Sequence, residues 1–148
     1  MIRPFAIARW LVVSLSIALL FLSFSRASAL DIPGPEQLIG LWRGTSVCTD
    51  RVAAPACQDE TIVYEFTGGT QPGTVRWSAD KVVDGKRESM GDLFDLTYDN
   101  TEKCWKVEFS TPRVKVVWRL AVDGRHLTGT ARLLPGNEAV RKIDARKE

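Results

Sequence analysis

Beyond residue 39 the chain never sustains a helical apolar period. Short runs of β-branched and aromatic residues alternate with polar ones, and turn signals cut them at near-regular spacing. That pattern is the mark of a barrel or sandwich built from strands. The spacing predicts strands over residues 41–48, 61–67, 74–83, 86–90, 93–98, 103–110, 113–122 and 125–134, with a last short one over 139–146. Asp84-Gly85 is a two-residue hairpin signal that wants positive φ, and Asp123-Gly124 is a second two-residue turn. Gly91 marks a break or bulge. Ahead of the strands, Pro35 opens one helical turn, with its missing N–H at an early position where it costs little.

The runs also sort into faces. Ile62, Tyr64 and Phe66 oppose Thr61 and Glu65. Phe94, Leu96 and Tyr98 oppose Asp95 and Thr97. Trp105, Val107 and Phe109 oppose Cys104, Lys106 and Glu108. Val114, Val116, Trp118 and Leu120 oppose Lys115, Val117, Arg119 and Ala121. Leu127, Gly129, Ala131 and Leu133 oppose His126, Thr128, Thr130 and Arg132. Short connections make sequence neighbours antiparallel. The expected fold is therefore all-β: an up-and-down antiparallel barrel of eight or nine strands, closed to remove its edges. A sandwich would favour a long crossover, and the only long loop lies between the first two cysteines. An outer-membrane barrel would carry its apolar face outward on longer strands.

Residues 1–29 read as an export signal. Arg3 and Arg9 precede an apolar run from Leu11 to Phe24, and Ala27-Ser28-Ala29 supplies a small–x–small cleavage site. The run is shorter than the roughly 20 residues a spanning helix needs. Cleavage would leave a single domain over 30–148, periplasmic or secreted, with no membrane attachment. The whole chain carries a net charge of +2. Arg3, Arg9 and Arg26 would leave with the signal, so the remainder is slightly acidic. No basic stripe remains for nucleic acid, and a monomer is expected.

Three cysteines lie in the exported part. Export permits a disulfide, and Cys48–Cys57 is the favoured pair, because it would tie the ends of the polar loop 49–56. Cys104 is then left as an ordinary thiol on a sheet. The cysteine spacing is not that of a zinc site. His126, the only histidine, sits beside a hairpin turn on the polar face, far from any nucleophile in sequence. Asp59 and Glu60 are adjacent and point to opposite faces of a strand. Asp92 and Asp95 differ by an odd offset. No carboxylate pair, phosphate loop or metal cluster is recognisable, so neither catalysis nor a cofactor is expected.

Gly40-Leu41-Trp42, opening the first strand after a helical turn and ahead of about eight strands, resembles the lipocalin-like (calycin) group. The resemblance implies an up-and-down barrel that holds a small apolar ligand. It also implies that Trp42 packs at the closed end beneath a basic residue from a late strand, either Arg132 or Arg141. The inward rings either fill the barrel or line a cup at its open end. For a cup, Tyr64, Trp77, Phe94 and Trp105 are the expected ligand contacts. The alternative is a protein-binding module, such as a periplasmic protease inhibitor, acting through the loop that begins at Thr49 and ends at Ala56.

Overall fold

The computed structural model describes residues 33–91 and 93–148. The export signal read over residues 1–29 lies outside them. A 3-10 turn at Pro35–Gln37 leads into nine strands. These are β1 (Gly40–Cys48), β2 (Glu60–Gly68), β3 (Val75–Val83), β4 (Lys86–Ser89), β5 (Phe94–Asp99), β6 (Cys104–Ser110), β7 (Lys115–Asp123), β8 (His126–Leu134) and β9 (Glu138–Lys147). Every pairing is antiparallel, and sequence neighbours pair almost throughout.

Eight of the strands close a ring. β9 returns to β1 in a register from Trp42↔Lys147 to Cys48↔Arg141. This seam joins the two ends of the described chain and leaves the ring with no free edge. The Asp84-Gly85 hairpin forms as expected, with φ of 49° and 76° at its two central residues.

The fourth strand departs from a simple meander. β4 pairs only with the far half of β3, Asp80 to Val83. β5 then rejoins β3 at Val75 to Trp77. The two share one lane of the barrel, separated by the break at Gly91. The tight hairpin is the reason: it folds the chain straight back on β3, and the break lets it resume the same lane lower down.

Alternation places the core as expected except at Val114, which precedes β7 and is exposed. Ile62, Tyr64, Phe66, Leu96, Trp105, Leu120, Leu127 and Ile143 are buried in one cluster with Trp42 and Leu38. Each such side chain contributes roughly 1.5–3 kcal/mol through the apolar area it removes from water. Two aliphatics on the outer face are buried as well, Val63 and Val117. Val63 lies between Arg43 and Asp80, and Val117 between Glu108 and Arg132. Long charged neighbours of this kind shelter a β-branched residue with their aliphatic stems.

Candidate functional site

The two ends of the barrel differ. At one end the 3-10 turn leads into the first strand, and Trp42 is wholly buried there with Leu38. The Trp42 indole Nε1 donates to the Leu38 carbonyl at 2.8 Å. Lys147 Nζ lies 5.3 Å from the centre of the Trp42 ring. The basic residue over the tryptophan is thus Lys147, in place of the Arg132 or Arg141 expected. The register explains this: Lys147 pairs directly with Trp42, whereas Arg141 pairs with Cys48 at the other end of the same strand. Arg132 is also at that far end, where its Nη1 donates to the Asn137 carbonyl at 2.8 Å. Gly40 sits against the same lysine; a Cβ there would stand 2.8 Å from Lys147 Cε.

Toward the other end the filling stops. A cavity of about 500 Å³ opens inside the barrel mouth. Its base is Tyr64 and Trp77, with Trp118 beside them; ring centroids are 4.9 Å apart for Tyr64–Trp77 and 5.2 Å for Trp77–Trp118. One wall is Phe94 against Phe109, at 5.6 Å and nearly perpendicular. Edge-to-face packing of this kind suits the ring quadrupoles. Val107, Ala79 and Met90 complete the apolar surface.

Of the four expected contact residues, the structure brings Tyr64, Trp77 and Phe94 to this cavity and leaves Trp105 out. Trp105 is buried in the solid half, packed on Tyr98 at 5.4 Å. It shares a face with Phe109 but lies four positions earlier, about 13 Å back along the tilted strand at ~3.3 Å per residue. Phe109, Val107 and Trp118 were readable as inward-facing. What the alternation does not carry is height along the barrel, which the stagger of the strands decides.

A polar cluster rims the same cavity. Arg141 Nη1 donates to Ser46 Oγ at 2.7 Å and to Glu60 Oε2 at 2.9 Å, and its Nη2 donates to the Gln58 carbonyl at 3.0 Å. The Arg141 and Glu60 side chains are largely buried, and Ser46 fully so. Burial raises the pKa of the Tyr64 hydroxyl, against a smaller opposing pull from Arg141, so it remains a neutral phenol.

Cys48 and Cys57 are disulfide-bonded. The loop they close is further braced. Asp50 Oδ1 accepts from the Val52 and Ala53 backbone N–H groups, each at 2.9 Å. Asp59 Oδ1 accepts from the Cys48 N–H at 2.8 Å. Cys104 is free and buried, and burial pushes its thiol pKa up, away from the reactive thiolate. His126 Nε2 lies 3.1 Å from Asp144 Oδ2 on the outer wall.

No family model, curated protein or solved structure matches this chain. The closed eight-stranded antiparallel barrel is consistent with a calycin-like fold, and the functional reading rests on its cavity.

Proposed function

We propose that this is an exported, non-catalytic barrel that binds a small apolar ligand at its open end. The observation that carries the reading is the half-empty interior. Below Trp77 the barrel is packed solid, and above it Trp77, Trp118, Phe94 and Phe109 bound about 500 Å³. Small-molecule sites are concave, mostly apolar and of this size. Rings supply large contact area at little entropic cost, since each has few rotatable bonds. The disulfide supports export, because such bonds persist in oxidising compartments.

The test is calorimetric titration with naphthalene. Saturable one-to-one binding is expected. Val107→Trp, which places a third indole in the cavity beside Trp77 and Trp118, should abolish it while the far-ultraviolet spectrum stays that of the parent barrel. Absence of saturable binding to the parent protein overturns the reading.

A second reading is favoured by one observation. Val52 is 92% exposed on the braced loop between Cys48 and Cys57. A rigid loop with an exposed aliphatic tip is an economical docking element, because little entropy remains to be lost on binding. The loop is made of hydrogen-bonded turns, with Ala54 N–H on the Asp50 carbonyl at 3.2 Å and Cys57 N–H on the Ala54 carbonyl at 3.0 Å. It therefore suits a docking contact better than an extended, substrate-like inhibitory segment.

A further inference from the structure

We infer that the cavity's ligand is a monoanion: a ring-sized apolar body carrying one carboxylate-like group, with the rings on the tryptophans and the anion at the rim beside Arg141 and Lys81. The inference rests on the cavity being the binding site.

Three charged side chains line the cavity, Glu60, Lys81 and Arg141. One negative charge therefore faces two positive ones. Glu60 is engaged by Arg141 at 2.9 Å, so its charge is already answered. The surplus is positive. Lys81 has as its only ion-pair partner among the described residues Glu88, at 3.6 Å, and Glu88 does not line the cavity.

Arg141 is also pre-positioned. Its side chain is 16% exposed and pinned by Ser46, Glu60 and the Gln58 carbonyl. A guanidinium has five N–H donors in a fixed fork. These contacts use Nη1 and one side of Nη2. Nε and the second Nη2 hydrogen have no partner among the described residues. A donor set held rigid beside an apolar cavity discriminates by charge, since the low-dielectric walls strengthen each interaction. A cationic ligand would meet two like charges. A neutral one would leave the surplus unanswered.

Calorimetry with three probes on one ring system tests this: 2-naphthoate, its isostere 2-naphthamide, and 2-naphthylmethylammonium. The expected order has naphthoate about tenfold tighter than naphthamide, and the ammonium unbound. Lys81→Gln, at a half-exposed rim position, should cut the preference for naphthoate over naphthamide about threefold. The paired change Glu60→Gln with Arg141→Gln keeps two hydrogen-bonding amides and should remove what preference is left. If naphthoate and naphthamide bind equally, the Arg141–Glu60 pair is a self-contained structural bond and the inference falls, while the cavity stands as an apolar site. If none of the three binds and naphthalene does not either, the cavity is not the site, and both readings fall together.

Discussion

Asp95 is the clearest case of one side chain holding several others. It accepts from the Thr70 hydroxyl and, at 3.0 Å, from the Thr70 backbone N–H, and it pairs with Arg76 Nε at 2.9 Å. It thereby ties the turn after β2 to β3 and β5. The Thr70 hydroxyl bond, then Arg76, hold its carboxyl at about 2, well below the usual value. A carboxylate whose folded pKa is depressed contributes stability that is complete above the unfolded pKa, roughly 3.9, and is lost as pH falls through the folded value. Thermal melts should therefore show a falling midpoint between about pH 4 and pH 2. Asp95→Asn should make that acid limb shallower and leave the slope above pH 5 unaltered, the rest of the limb coming from Asp59, Asp99, Glu102 and Glu108, whose carboxyls are also lowered by their hydrogen-bond partners. The role was not legible beforehand, since Asp95 read as a solvated charge on the polar face. Its partner Thr70 is 25 positions away, a distance that only the β3–β5 pairing closes.

At the scale of elements, most of the strands were legible and the lane they occupy was not. Nine strands form at nearly the expected positions because period-two alternation and turn residues agree at each one. β4 and β5 were read as two separate staves of a meander. Their sharing of one lane follows from pairing with β3, which local propensity does not specify. The disulfide loop was legible as a preference, since the expected export and the polar stretch between the two cysteines favoured Cys48–Cys57, the pair that the structure joins. Replacing both cysteines by serine should cost about 2–3 kcal/mol in urea unfolding by freeing the denatured chain, with strand content unchanged. The Asp50 and Asp59 bonds would still hold part of the loop.

Closure is the property of the whole molecule. The β1–β9 seam needs two backbones to approach closely at Gly44, where a Cβ would stand 2.0 Å from the Asp144 carbonyl oxygen and 2.5 Å from Ala145 Cα. Both obstacles are main chain, so neither can move without parting the seam. Gly44→Val should destabilise the protein by about 3 kcal/mol or more, measured by denaturant unfolding, and should expose the seam amides to hydrogen exchange. The same closure sets which inward rings meet and which do not. Tyr64, Trp77 and Phe94 come from three strands and converge at the mouth, while Trp105 joins the solid base. The strand content and the inward face were determined by the sequence alone, because each depends on neighbours within a few positions and on whether a side chain prefers water. The identity of the lysine over Trp42, the cavity above Trp77 and the rim built by Arg141 were decided only by the tertiary structure. Each depends on stagger and closure, which fix how far along the barrel axis a residue sits, and no local pattern encodes that height.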